Sequence, residues 1–312
     1  MRIVVTGAAG FIGSTLAEGL IAAGHDVVGI DAFVPYYPRE TKESNLRGLR
    51  GDPRFTFHEL DLARGDVASI LDGADACIHL AAMPGLAQSW VDIDGYSNCN
   101  VVATHRLLEA GRAVGLPRLL HASTSSVYGT LAVGDESMAT RPVSPYGATK
   151  LAAEHLVLGA IELFGMNASI LRFFSLFGPR QRPDMAYHRF IEALLDERPI
   201  TVYGDGLQTR SNTFITDAVV GTIRALEGAR AGEIYNIGGG ESIALNDAIT
   251  AIAEAVGTRP TIIRDAARPG DQRHTAANVG KAERDFDFRP TVHPVDGLRR
   301  QVAWHRERRA QT

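Results

Sequence analysis

Three glycines at three-residue spacing, Gly7, Gly10 and Gly13 in TGAAGFIG, follow the apolar run 3–5 and open a segment, 11–23, whose apolar residues recur at helical spacing. A chain that turns so tightly from strand into helix sets the helix start against the strand end, and few architectures begin that way. The pattern then repeats. Short β-branched or apolar runs at 27–30, 55–57, 76–80, 119–122 and 168–171 alternate with longer segments such as 101–114 and 145–164, the latter with Pro145 at a first-turn position. Apolar strands separated by helix-length connections predict a parallel sheet covered on both faces, an α/β Rossmann-type doubly wound fold. Beyond Ser175 the periodicity gives way to Pro- and Gly-rich loops between shorter elements. In a chain of 312 residues this predicts two lobes, a nucleotide-binding domain over 1–174 and a smaller α/β substrate lobe over 175–312, with some of the later chain returning to the first.

The glycine turn carries chemistry as well as geometry. Glycine permits the turn, and backbone N–H groups at the helix start, around Phe11, Ile12 and Gly13, face a pyrophosphate. Asp31 closes the second strand, 18 residues after Gly13, where a carboxylate accepts both hydroxyls of an adenosine ribose and repels a 2′-phosphate, so the expected cofactor is NAD. Asp61 with Leu62, and Leu80, Ala81 and Ala82, sit at the carboxyl ends of the third and fourth strands and complete the expected dinucleotide site.

Tyr146 and Lys150 stand four apart near a helix start, hence on one face, so that an ammonium can lie beside a phenol. With eight tyrosines and three lysines this spacing arises by chance about 0.08 times per chain. A neighbouring ammonium and a positive nicotinamide both favour phenolate, the form a general base needs. Upstream, Ser123, Thr124, Ser125 and Ser126 follow the fifth strand at the same sheet edge, a run of hydroxyls suited to a polyhydroxyl or anionic ligand.

Other classes find little support. Thirty-two basic against 36 acidic residues leave a net charge of −4, which excludes bulk nucleic-acid binding as an expectation. No stretch reaches the ~20 apolar residues of a membrane span. Cys77 and Cys99 are too few for a disulfide framework and are expected to be inert buried thiols in a reducing, cytoplasmic setting. His79 and His121 fall in strands and are expected to be satisfied core residues. The ten histidines show no zinc-binding spacing, so no metal is expected. The basic tail, 297–312, is expected to be a solvated helix end.

TGAAGFIG, Asp31, HLAA at 79–82, STSSVYG, SPYGATK, RFFSLFGPRQRPDMA and RPGDQRHT together make the chain similar, over essentially its whole length, to the extended short-chain dehydrogenase/reductases, and within them to nucleotide-sugar 4-epimerases. The resemblance implies that Thr124 hydrogen-bonds the reacting sugar oxygen, Tyr146 is the base, and Lys150 orients the nicotinamide ribose and lowers the tyrosine pKa. It also implies that Arg210 and Arg268 clamp a substrate diphosphate. Dehydratases and decarboxylases of this architecture usually carry Glu where Ser126 stands, so epimerisation is implied. The stretch 34–46, RPDMA at 182–186 and Ser175 resemble UDP-glucuronate 4-epimerases. Arg182 with Ser125, Ser126 and Ser175 would give a sugar carboxylate one charge-assisted and three neutral donors.

The competing expectations are a 4-epimerase of neutral UDP-sugars, in which Arg182 plays no part, a dehydratase or decarboxylase, and a non-catalytic NAD-sensing regulator. Ser211 and Asn212 depart from the Asp-Phe usual beside Arg210. Relatives commonly pair through the helices near 101–114 and 146–164, so a homodimer is implied.

Overall fold

A computed structural model describes residues 1–267 and 273–310. Seven parallel strands form the main sheet: β1 (Arg2–Thr6), β2 (Asp26–Asp31), β3 (Phe55–Glu59), β4 (Ala76–His79), β5 (Leu119–Thr124), β6 (Ala168–Phe173) and β7 (Ile234–Ile237). Their order is β7-β6-β5-β4-β1-β2-β3, with the switch point between β1 and β4. This is the doubly wound topology the alternating runs predict. In such a sheet ligands bind beyond the carboxyl ends of the strands at the switch point.

Alternation along each strand feeds two apolar layers. Ile3 and Val5 point into one, with Leu16 and Leu20 of helix α1 (Phe11–Ala22). Val4 and Cys77 point into the other, with Leu107 of α2 (Ala103–Ala113) and Val157 of α3 (Pro145–Phe164). Ile3, Leu16 and Leu20 are wholly buried, and burial of each side chain contributes about 1.5–3 kcal/mol. The edge strand β3 departs from the all-apolar expectation, because one side of it faces solvent and only Phe55 of its five residues is buried.

The later half builds smaller sheets. Ala132–Gly134 pairs with His274–Ala277, which pairs with Thr209–Arg210 and on to Ile243–Ala244. Leu176–Phe177 pairs with Thr213–Phe214, and Ile200–Tyr203 with Ile262–Asp265. The chain therefore crosses between halves twice: Ala132–Gly134 joins a sheet built otherwise from later residues, and β7 completes the main sheet.

Helix α4 (Ala186–Leu195) and helix α5 (Pro294–Ala310) lie in this half. The tail is less solvated than expected, since Leu298, Gln301, Val302 and His305 of α5 are buried and Arg309 pairs with Glu192 and Asp196. Gly297 lets this helix lie close against two aromatic rings. A Cβ there would lie 2.6 Å from the Phe177 ring and 2.8 Å from Phe214.

Behind the strand ends lies a buried ion pair. Glu154 of α3 accepts two bonds from Arg172 of β6, at 2.9 and 2.7 Å, and one from the Ser123 hydroxyl at 2.5 Å. The guanidinium also donates to Tyr128, which donates in turn to Asn236 of β7. With side chains only 4% and 1% exposed, neither charge has water to fall back on. Arg172→Met should therefore cost about 3–5 kcal/mol of unfolding free energy in a denaturant titration, through the unpaired Glu154 carboxylate.

Candidate active site

The first turn of α1 starts in a cradle that only glycine allows. Gly7 has φ +71°, and a Cβ there would sit 2.9 Å from the Ala81 nitrogen. A Cβ on Gly13 would sit 2.1 Å from the Gly7 carbonyl oxygen. Backbone thus lies on backbone, and the N–H groups of residues 11–13, which have no helical acceptor, are left at an open sheet edge.

Asp31 is held at the end of β2 by the Ala9 and Phe33 amides, at 3.1 and 2.8 Å, with the Lys42 ammonium 3.7 Å away. A fixed carboxylate beside a glycine cradle fits the adenosine ribose and pyrophosphate of a dinucleotide. Phe11, Ile12, Gly13, Asp31, Asp61, Leu62, Leu80, Ala81 and Ala82 line the same cavity as Gly7 and Gly10.

His79 supports this edge from below. Burial drives its pKa down to about 3, so it is neutral. Its Nε2 meets the Thr104 hydroxyl at 3.0 Å, and that hydroxyl is committed as a donor to the Asn100 carbonyl. Nε2 therefore carries the proton, and Nδ1 accepts from the Thr6 hydroxyl at 2.8 Å. The Thr6 oxygen in turn accepts the amides of Leu80 and Ala81, both at 3.1 Å, which fixes the HLAA segment.

His121, by contrast, is buried with neither ring nitrogen bonded to a protein group, which corrects the expectation of a satisfied core residue. It packs 5.3 Å from the His79 ring, and burial together with the Lys150 charge depresses its pKa. Its strand pairs on both sides, while no side chain hydrogen-bonds the ring.

SPYGATK spells out the catalytic edge residue by residue. The Ser144 hydroxyl caps α3 by accepting the Gly147 amide at 3.1 Å, and Pro145 takes the first helical position. Gly147 admits a close approach, since a Cβ there would lie 2.8 Å from the Ser126 carbonyl oxygen. The helix start is thereby pressed onto the turn after β5. There Thr124 closes the strand and its hydroxyl accepts the Ser126 amide at 3.2 Å.

Burial raises the Tyr146 pKa, against which the Thr124 hydrogen bond and the Arg182 charge pull it down. The Lys150 ammonium donates to the Ala122 carbonyl at 2.6 Å, and burial lowers its pKa to about 8 although Glu154 opposes this. A buried ammonium needs acceptors in place of water, and the Ala122 carbonyl supplies one.

Thr124, Ser125, Ser126, Tyr146, Lys150, Ser175, Arg182 and Arg210 all line the cavity that the glycine turn opens into. Arg268 lies outside the described residues. Arg182 arrives already paired: Asp184 accepts from its Nε at 3.0 Å and from its Nη2 at 3.1 Å. Tyr36, whose ring centre is 5.8 Å from the guanidinium, donates to the same carboxylate at 3.3 Å across the mouth of the cavity.

Several lining or supporting residues carried no sequence signal of their own. Tyr36, Tyr37 and Lys42, from the stretch 34–46, line the cavity as well. Asn100, in a π-wound turn over Asn98–Val102, holds both backbone groups of Met83 and reaches Thr149. Cys99 also lines the cavity, its thiol pushed up to about 11 by burial, and Cys77 is buried with a thiol at about 12.

His188, Glu192 and His305 come from distant parts of the sequence to lie within 4.8 Å of one another, a grouping no spacing rule detects. Glu192 is bonded by His305 and Arg309, so the group reads as a clasp between α4 and α5. Among the described residues no helix is long and apolar enough to cross a membrane.

Residues 3–238 match the NAD dependent epimerase/dehydratase family. The chain is 40% identical to a UDP-glucuronic acid 4-epimerase from Bacillus cereus solved with UDP-glucuronic acid and NAD; the match covers 98% of this chain and 99% of that one, with a TM-score of 0.95. It is 41% identical to an uncharacterized UDP-glucose epimerase, YtcB, of Bacillus subtilis, over 97% of this chain and 98% of the relative. It is 34% identical to a UDP-glucuronate 4-epimerase of Thermodesulfobacterium geofontis, over 97% and 96%. A glycine cradle, an Asp31 carboxylate fixed beside it and the Tyr146–Lys150 helix start, found together in a chain matched to this family over well more than half its length, make the protein an NAD-dependent enzyme of the NAD dependent epimerase/dehydratase family.

Proposed function

We propose that the enzyme is an isomerase that inverts C4 of a UDP-sugar through a transient 4-keto sugar, and that its substrate is UDP-glucuronate, converted to UDP-galacturonate. The observation that carries the uronate reading is the position of Arg182, a guanidinium lining the same cavity as Ser125, Ser126 and Ser175 and close enough to lower the pKa of Tyr146. A cation so near the reacting centre suits a carboxylate on the neighbouring sugar carbon. The similarity to the two UDP-glucuronate epimerases supports it. The pairing of Arg182 with Asp184 favours a second reading, a neutral UDP-sugar, as does the likeness to the relative named for UDP-glucose.

Bound NAD supplies reversible hydride acceptance, and Gly7, Gly10, Gly13, Asp31 and Lys150 are the residues that would hold it. The protein's own part begins at the Tyr146 oxygen, which takes the C4 hydroxyl proton and later returns it. The Thr124 hydroxyl, which donates to the Ser126 hydroxyl at 3.2 Å, favours the ionised form of that phenol. Ser126 cannot act as the extra acid or base that elimination requires, which leaves epimerisation.

A 4-keto uronate is a β-keto acid and loses CO₂ when its carboxylate bond stands perpendicular to the carbonyl plane. Arg182, Ser125, Ser126 and Ser175 therefore have two tasks. They bind the carboxylate, and they keep that bond near the plane. Arg210 and Arg268 serve the diphosphate.

We further propose a homodimer through α2 and α3. The groove between them is lined by Leu108, Arg112, Leu156, Ala160, Leu163 and Phe164, of which Leu163 and Phe164 are exposed. The free thiols Cys77 and Cys99 suit the reducing, cytoplasmic setting expected from the sequence.

Incubation with UDP-glucuronate should give the C4 epimer by NMR, and Arg182→Ala should lose about tenfold or more in kcat/KM on it. Faster turnover of UDP-glucose, indifferent to Arg182, would establish the neutral substrate instead. Tyr146→Phe should abolish turnover with NAD still bound. Thr124→Val removes a group that lowers the Tyr146 pKa, so the acidic limb of the rate profile should move to higher pH. Light scattering should give twice the mass of one chain, and Leu163→Glu should shift it toward the monomer.

A further inference from the structure

The loop that carries Arg182, residues 178–185, has neither helix nor strand, and it includes two unusual backbone conformations, Gly178 at φ +134° and Arg180 at φ +67°. Such a segment would be expected to wander, yet Gln181 at its centre is only 3% exposed. The side chain that holds it comes from the far end of the chain.

Gln301 of α5, wholly buried, accepts the Gly178 amide on its Oε1 at 3.0 Å and donates from its Nε2 to the Gln181 Oε1 at 2.8 Å. The Gln181 amide is completed by the His188 backbone N–H at 3.0 Å and by donation to the Leu176 carbonyl at 3.0 Å. Its backbone carbonyl accepts from His188 Nδ1 at 2.8 Å. Arg180 adds an ion pair with Glu18 of α1 at 2.6 Å. The loop is thus pinned immediately before Arg182, and Pro183 immediately after it limits the backbone of Arg182 to extended conformations.

The neighbours of Gln301 on its helix show what would otherwise occupy this place. Leu298 and Val302 are buried apolar residues, and Gly297 lies against Phe177 and Phe214. An apolar residue at 301 would complete that packing without the desolvation cost of an amide. A buried glutamine bonded at both its amide oxygen and its amide nitrogen instead selects one arrangement of its partners, because any other leaves amide groups unpaired.

We propose that Gln301 is a positioning residue for Arg182: through Gly178 and Gln181 it sets the guanidinium where it restrains the substrate carboxylate beside Tyr146. This rests on the uronate reading. The C-terminal helix thereby takes part in deciding the fate of the keto intermediate, although Gln301 itself is two residues removed from any sugar contact.

The test is the ratio of epimer to decarboxylated pentose nucleotide formed from UDP-glucuronate, read by NMR for wild type, Gln301→Leu, Gln301→Glu and Val302→Ala. A ratio does not depend on how much of the protein is folded. Gln301→Leu should raise KM about fivefold to tenfold and increase the decarboxylated fraction. Gln301→Glu, which keeps the acceptor for Gly178 but loses the donor to Gln181, should do so to a lesser degree and serves if the leucine variant does not fold. Val302→Ala should lower Tm while leaving the product ratio at the wild-type value. Wild-type turnover with both Gln301 variants at the wild-type KM and product ratio would overturn the positioning role alone. A wild-type enzyme that does not convert UDP-glucuronate would overturn the uronate reading, and this proposal with it.

Discussion

The hydrogen bond from the Gly147 amide to the Ser144 hydroxyl decides where α3 begins, and the rest of the site is measured from that point. Residues 146, 150 and 154 then fall on one face of a single helix, one turn apart, with the phenol at the cavity, the ammonium at the Ala122 carbonyl and the carboxylate in the ion pair with Arg172. A start displaced by one residue would rotate all three by about 100°. Gly147 enforces the placement from the other side, since only a residue without a Cβ lets the helix end meet the Ser126 carbonyl.

This one helix also sets the electrostatic character of the site. Lys150, His79 and His121 are buried and Tyr146 is half-buried, and in each the uncharged form gains, so the phenol is raised while the amine and both imidazoles are lowered. Deprotonating the phenol therefore depends on a small number of groups in direct reach, Thr124 and Arg182. A carboxylated sugar changes that balance, because its negative charge offsets part of the Arg182 charge that favours phenolate. Asp184 already performs some of this offset through its two bonds to the guanidinium.

Much of this was legible from residue order. Strands announced by β-branched runs appeared within a few residues of their expected bounds, because a parallel sheet buried on both faces leaves no polar alternative at positions such as Ile3, Val4 and Val5. The glycine turn, Asp31, and the Ser144–Pro145 start of α3 were legible for a similar reason: each answers a local geometric demand with a residue type that few other demands share. Every candidate residue within the described part of the chain lines one cavity.

What escaped the sequence was determined by long-range contact. The Lys150 ammonium goes to a carbonyl on a strand 28 residues away, Asp184 and Tyr36 meet across 148 residues, and Gln301 reaches Gln181 from 120 residues further on. Asn100 and His121 belong to the same class. Nothing about an isolated asparagine or histidine tells whether its partners will be present, as they are for Asn100, or missing, as they are for His121.

The two crossings of the chain between its halves have a consequence for how such an enzyme can be divided. With Ala132–Gly134 committed to a sheet of later residues and Ile234–Ile237 seated against β6, severing the polypeptide near residue 174 would strip an edge from each fragment. Neither piece would inherit a closed set of backbone pairings, so the halves cannot be exchanged as interchangeable cassettes.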